Sequence, residues 1–472
     1  MTDSTPSDFV VLHLGLGSFH RAHQAVYLQA LIDAGDTRWS LVGANLRPDM
    51  AEVEGALHAQ GGRYTLETVS PAGEYRYQRI ESIREVLPYD AKLTEVITRG
   101  ADPRTRVISF TVTEAGYYLD SKDRLDFDVA DLANDLEQAR NGEAGTTIYG
   151  AVCAILGARR AANAGPVTLL NCDNLRHNGD RFRKGLLEFI ERAGQAELLD
   201  WVRAQTRSPN AMVDRITPRP PPELRQRVFQ ATAWDDAAPV TGESFIQWVI
   251  EDDFVNGRPD WGRVGVQLVD SVSPYEEAKI RILNASHSCI AWAGTLIGLH
   301  YIHEGTHMPA IRRMAFDYVT DDVIPCLHSP GRPSPVDLPV YRDVVLERFG
   351  NPAIRDTNQR VAMDGFSKIP GFIAPTIHER LARGERIESV AMLPALFLAF
   401  LQRWHKGALP YVYQDQGMDE AAAHGICEAA DPVAAMSADR TLWGDAAADT
   451  RLVEAMRKAD ARVQAFVQRG GK

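Results

Sequence analysis

Cysteine is scarce in this chain. There are five in 472 residues (Cys153, Cys172, Cys289, Cys326 and Cys427), an odd number with no two spaced as CxxC. That argues against a disulfide-stapled secreted domain and fits a reducing compartment. Long apolar runs are missing too: the longest, residues 390–401, is too short to span a bilayer and contains Pro394. The opening "MTDSTPSDFVVLHLG" has no basic flank before its apolar stretch, so it does not read as a secretory leader. There is no basic stripe, no internal repeat and no low-complexity tract. Net charge is −12, spread without long acidic blocks, which argues against a phosphate-backbone binder. What is present is an ordinary globular composition, 45% hydrophobic and 24% charged, in a chain too long for one typical core. The expectation is a cytoplasmic protein of two domains that binds neither nucleic acid nor membrane.

The first half alternates strand-like and helix-like segments. "FVVLHLG", "WSLVGAN", "TRVISFTVTEAGYY" and "GPVTLLNCDN" are compact, apolar and β-branched. Between the first two, "AHQAVYLQALIDAG" has helical spacing and stops at Gly35. Such alternation predicts an α/β fold with a parallel sheet covered by helices. After residues 273–275 the texture changes. "PYEEAKIRILNASHSCIAWAGTLIGL", "HMPAIRRMAFDYVTDDVIPCL", "LPVYRDVVLERFG" and "SVAMLPALFLAFLQRWHKG" all read as helices, and strand signals are scarce. The boundary falls there, giving residues 1–274 as the sheet domain and 275–472 as a mostly α-helical domain.

"HLGLGSFHRAHQ" sets Gly15 and Gly17 directly after a strand and before a helix. A tight strand-to-helix turn needs glycine, and close backbone approach to a pyrophosphate needs a second. The helix N-terminus then offers free N–H groups, and Arg21 adds a charge. His20 stands where GxGxxG has its third glycine, so a plain strand–turn–helix fits this string as well. After the second strand, Asp49 suits a ribose 2′-hydroxyl and Arg47 a 2′-phosphate, so these residues leave NAD against NADP open.

"KIRILNASHSCIAW" reads as a buried helix that nevertheless carries Lys279, Asn284 and His287. At 100° per residue, with Lys279 at zero, Glu276 lies near 60°, His287 near 80° and Asn284 near 140°, all to one side over roughly 16 Å of axis. Polar groups in a helix that is apolar nearly all round need partners. A structural network is one answer. The other is catalysis: desolvation lowers a buried lysine's pKa, a neutral amine serves as general base on an alcohol, and amides donate to the oxygen as it becomes alkoxide. Asn174, just past the strand in "PVTLLNCDNLRHNG", is placed for a second such amide, or for an ordinary Asx turn.

The stretches "GLGSFHRAHQ", "TVTEAGYY", "LLNCDNLRHNG", "MVDRITP", "PYEEAKIRILNASHS" and "DTNQRVAMDGFSKIP" resemble the polyol-specific long-chain dehydrogenases, the mannitol dehydrogenase family. The spacing K-x₄-N-x₂-H is the most specific element. The resemblance implies a Rossmann domain followed by a helical domain, with the active site between. It implies NAD-dependent, metal-independent oxidation of a secondary hydroxyl of a sugar alcohol to a ketose. Lys279 is then the general base, Asn174 and Asn284 the oxyanion hole, His287 a substrate-orienting group and Glu276 a relay of the proton to solvent. Gly15, Gly17, Phe19, Arg21 and Asp49 fall to the cofactor. Val213, Asp214, Arg360 and Lys368 match positions lining the polyol site, although the last two read locally as surface charges. Within the family, "ILNASHSCIAWAGTLIG", "DTNQRVAMDGFSKIP" and "MLPALFLAFLQRWHKGALPY" look most like the branch that turns D-arabinitol into D-xylulose. Oxidation of D-mannitol to D-fructose, or a broader polyol range, is the near alternative. The expected partners are polyol and ketose alone, with the chain a monomer or weak oligomer.

Two other readings compete. "HEGTH" matches H-E-x-x-H, in which His303 and His307 would bind zinc and Glu304 act as base of a hydrolase. Gly305 inside the would-be helix and Pro309 just after it argue against that, and no further metal ligand stands out. A dinucleotide sensor without catalysis is the third class, and it would have no use for a lysine base.

Overall fold

The computed structural model describes residues 8–120 and 122–471. The chain forms two compact units, one holding residues 8–70 and 74–273, the other residues 71–73 and 274–471.

Among its described residues the first unit has twelve strands: β1 (Phe9–Leu14), β2 (Trp39–Ala44), β3 (Tyr64–Val69), β4 (Tyr75–Ile80), β5 (Ile83–Leu87), β6 (Thr105–Phe110), β7 (Val167–Asn171), β8 (Thr206–Arg207), β9 (Ala211–Asp214), β10 (Val240–Glu243), β11 (Gln247–Glu251) and β12 (Gln267–Val269). Six of them make the main sheet, in the order β5-β2-β1-β6-β7-β8, and every neighbouring pair is parallel. The four strands expected from apolar runs are β1, β2, β6 and β7. Their runs are near-continuous because both faces are covered. Val10, Leu12, Leu14, Ile108 and Phe110 join one core with Tyr149, Phe182 and Phe189. Val11, Leu41, Val107 and Leu170 join another with Ala25, Leu28 and Leu31. That period of two, with helices on each side, is a doubly covered sheet.

From β1 the chain winds outward through β2 to β5, then returns to pair β6 on the other side of β1. Loops diverge at such a reversal, and open α/β sheets bind ligands there, beyond the carboxyl ends of the strands. Two three-stranded sheets, β10-β3-β4 and β12-β11-β9, complete the unit.

The helix expected to run unbroken toward Gly35 is two helices, Ser18–Ala22 and Gln24–Asp33. His23 breaks it, with φ −126° and ψ −85°. Its buried ring Nε2 sits 2.9 Å from the Gln247 carbonyl, and Gln24 Nε2 donates to its Nδ1. A tertiary tie overrides helix continuation here.

The second unit has no strand among its described residues, only isolated bridges such as Tyr301–Thr357. Its central element runs as three segments in series: the α-helix Ser273–Ala278, the π-helix Lys279–Asn284 and the α-helix Ala285–Leu296. Two more π-helices, Tyr318–Val323 and Ile369–Ile373, belong to the same unit. Tyr318, fully buried, donates its hydroxyl to the Arg281 carbonyl at 2.8 Å, tying one π segment to another. No helix among the described residues is long and apolar enough to cross a membrane.

Candidate active site

Gly15, Gly17, Phe19 and Asp49 line one cavity of about 740 Å³ at the carboxyl ends of β1, β2 and β6, together with Leu16, Asn45 and Thr111. That volume lies within the usual span for small-molecule and cofactor sites, roughly 300–1,000 Å³. Gly15 has φ +118°, which a side chain resists, whereas Gly17 has an ordinary φ of −64° that any residue adopts. A Cβ at either position would meet nothing within 4 Å, so the turn presents bare backbone to the cavity. Asn45, at the end of the second strand, holds the turn's shape: its side-chain oxygen accepts from Leu16 N at 3.0 Å while its amide donates to Glu54 at 2.9 Å. The helix that follows has only five residues. Its N–H groups, rather than a long macrodipole, are what it offers a phosphate.

Arg21 departs from expectation. Its guanidinium is buried, donating to the Leu16 carbonyl at 3.0 Å and the Ala238 carbonyl at 2.5 Å, and it does not line the cavity. It braces the turn from behind. His20, in the third glycine's place, stacks on His13 at 3.4 Å, and burial pushes it down to about 3. Arg47 donates to the Tyr118 hydroxyl at 2.8 Å and pairs with Asp131 at 3.3 Å. With Arg47 so engaged, exposed Asp49 is the group left at this end of the cavity for a ribose hydroxyl.

Asn174 lies three residues past β7, on a loop anchored by a network the sequence reading did not name. Asp173, buried, accepts from the Tyr117 hydroxyl at 2.7 Å and from Leu175 N at 3.3 Å, and Asn171 donates to the same hydroxyl at 2.6 Å. Burial outweighs these bonds and pushes the Asp173 carboxyl up to about 6. Val213 and Asp214 close β9, both buried, and pair in register with Trp248 and Gln247 of β11.

In the second unit, Glu276 and Lys279 are buried and Asn284 and His287 half-buried along the segmented helix. A uniform α-helix would set Asn284 about 140° from Lys279. The π segment changes that phase. It closes i→i+5, so residues five apart stand one turn apart, which is the Lys279–Asn284 spacing.

Around His287 the structure gathers residues from three helices. The ring stacks on Phe349 with centroids 4.3 Å apart, and Nε2 lies 3.3 Å from Asp356 Oδ2, within charge-pair reach but off hydrogen-bond alignment. Arg360 grips the same carboxylate. The helix bearing Arg360, Asn358–Ala362, packs against Ala285–Leu296 at Gly294, where a Cβ would stand 2.6 Å from the Asn358 amide. Burial pushes His287 below the usual histidine range. Asp356 opposes this, and the charges of Arg360 and Lys368 reinforce it. Lys368 also donates to the Val361 carbonyl at 2.7 Å. Arg360 and Lys368 are therefore organised around His287 rather than scattered on a loop. Asp356 was missed because nothing local marks it; its histidine partner is far away in sequence.

"HEGTH" is helical, contrary to the expectation that Gly305 and Pro309 would spoil it. It forms Ile302–His307 and ends before Pro309. Gly305 is what lets it approach Ile290, 3.0 Å from where a Cβ would stand. Glu304 spends its carboxylate on the helix start, accepting from His300 N and Tyr301 N at 2.9 and 2.8 Å, which holds it below the usual range. Among the described residues no group of three or more His, Cys, Asp or Glu is arranged to hold a metal.

The glycine turn carries a direct prediction. Gly15→Ala should destabilise the protein by about 1–3 kcal/mol through backbone strain, since no steric clash contributes. Denaturant unfolding of the two proteins measures it, and equal midpoints would show that the backbone relaxes at no cost.

Comparison with known proteins agrees with this architecture. The mannitol dehydrogenase Rossmann domain model matches residues 10–263, and the mannitol dehydrogenase C-terminal domain model matches residues 271–464. The chain is 60% identical to a D-arabinitol 4-dehydrogenase of Ralstonia nicotianae over 460 residues, covering 97% of each chain. It is 56% identical to a D-arabinitol 4-dehydrogenase of Klebsiella pneumoniae over 461 residues, 98% of this chain and 99% of that one. The structure of Pseudomonas fluorescens mannitol 2-dehydrogenase in ternary complex with NAD and D-mannitol is similar with a TM-score of 0.81 at 35% identity, covering 98% of this chain and 94% of that one. With both domain models matched in order along a Rossmann unit and a helical unit, the chain belongs to the mannitol dehydrogenase family.

Proposed function

We propose that this protein is an NAD-dependent polyol dehydrogenase that oxidises D-arabinitol to D-xylulose. The observation that carries the substrate is the step in identity: 60% and 56% to two D-arabinitol 4-dehydrogenases, against 35% to the mannitol 2-dehydrogenase of known structure. The bare-backbone turn at Gly15 and Gly17, its open space and the exposed Asp49 fit a dinucleotide with an unmodified ribose. A nicotinamide dinucleotide held at this turn would supply the acceptor for the hydride leaving the carbinol carbon. Lys279 takes the hydroxyl proton, and Glu276, one helical turn before it, passes that proton toward solvent. The Asn174 and Asn284 amides donate to the oxygen as it turns from alkoxide to carbonyl. Val213, Asp214, His287, Arg360 and Lys368 bind the polyol. A lysine base with two amide donors supplies what a Lewis acid would, so the reaction needs no metal. The five free cysteines fit a cytoplasmic setting, and the protein works as a monomer or weak oligomer.

D-mannitol is the second reading. It shares local stereochemistry with D-arabinitol, and the family's mannitol 2-dehydrogenases act on it. A hexitol adds one CHOH unit, which a pocket built for a pentitol rejects by crowding or by leaving polar groups unpaired. NADH formation across a panel of pentitols and hexitols tests this. D-arabinitol should be oxidised with the highest kcat/KM and D-mannitol more weakly. A preference for D-mannitol or D-sorbitol would overturn the assignment to this branch.

A further inference from the structure

One charged cluster has an order that the roles above leave unused. Arg360 binds Asp356 through two bonds, Nε to Oδ1 at 2.7 Å and Nη2 to Oδ2 at 2.5 Å. The same Oδ2 faces His287 Nε2 at 3.3 Å. The Arg360 side chain is 66% exposed, whereas that of Asp356 is only 9% exposed. Burial raises this carboxyl, but His287 and Arg360 outweigh burial and hold it well below the usual range, so it is ionised at neutral pH.

We propose that Asp356 is a positioning residue for polyol recognition, fixing Arg360 and His287 as a matched donor and acceptor for two neighbouring hydroxyls. This rests on the polyol dehydrogenase reading. An exposed arginine normally samples many rotamers, and ordering it on binding costs affinity. A bidentate carboxylate removes that freedom beforehand. The fork uses Nε and Nη2, and Nη1 has no partner among the described residues, so its N–H groups remain for a hydroxyl oxygen. On His287, a carboxylate facing Nε2 favours the tautomer protonated there. The Nδ1 lone pair is then left to accept from a hydroxyl. A vicinal diol offers one oxygen to accept and one O–H to donate, which complements this pair. Asp356 touches no substrate in this scheme; it acts through the two side chains that do.

Asp356→Asn keeps the shape and removes the charge and one acceptor. Its KM for D-arabinitol should rise about tenfold or more, with kcat within about threefold of wild type and the Kd for NAD unchanged. In an Arg360→Ala background the same substitution should raise KM by a smaller factor than it does alone, because the fork is gone and only the tie to His287 remains to be lost. Asp356→Glu, which restores the charge on a longer stem, should recover part of the lost KM and serves as the readout if the asparagine variant does not fold. A wild-type KM in Asp356→Asn, or full multiplication of the two effects in the double variant, overturns the inference alone. A wild-type enzyme that oxidises no polyol overturns the reading beneath it, and the inference with it.

Discussion

Lys279→Ala should lower the rate of polyol oxidation by about 10²–10⁴-fold, the usual contribution of a general base, and by more where lost charge stabilisation adds to it. The loss should fall on kcat. The dinucleotide cavity is lined by residues from Leu14 to Ile148 and takes nothing from Lys279, so the Kd for NAD should stay close to wild type. The amine must be neutral to take a proton, so wild-type oxidation should rise with pH through one ionisation that the alanine variant lacks. Added small primary amines should restore part of the lost rate by occupying the vacated space. A Lys279→Ala enzyme turning over near the wild-type rate would remove this residue from the mechanism, whatever the family.

Asn284→Ala comes next, with an expected loss of about 10²–10³-fold in kcat, the range for deleting one donor to a developing oxyanion. If the amide bonds the alkoxide more strongly than the alcohol, KM moves little while kcat falls, and that split separates an oxyanion donor from a simple binding group. Asn174→Ala should behave alike. Its loop is pinned by the Tyr117–Asp173 bond, so the fold around it should survive. A rise in KM with unchanged kcat in either variant would reassign that asparagine to substrate binding.

Much of this was readable from the chain, for identifiable reasons. β1, β2, β6 and β7 are buried on both faces and so stand out as short apolar runs. The spacing from Lys279 to His287 was visible as chemistry that does not belong in an apolar helix. What escaped depends on partners distant in sequence or on backbone choices without a local mark. Arg21 follows a glycine turn and reads as a phosphate ligand, yet its carbonyl partner Ala238 is 217 residues away. Asp356 looks like an ordinary residue before a helix until His287, packed on Phe349, is set against it. The helix break at His23 rests on the Gln247 carbonyl, 224 residues on. β3 buries polar Thr65 and Glu67 among its apolar residues and β4 exposes most of its length, so neither gave an apolar run to notice.

The π segment between Lys279 and Asn284 also fixes how this helix can change over time. Point substitutions there replace one side chain and leave the others aimed as they were. A change of length is different in kind. The i→i+5 closure depends on how many residues the segment holds, so a change of length within 279–284 alters the phase between Glu276 and His287 while leaving both side chains chemically intact. The segment works as a fixed phase offset between the end that carries Glu276 and the end that carries His287. Its count of residues is a property of the site as much as the identity of any one of them.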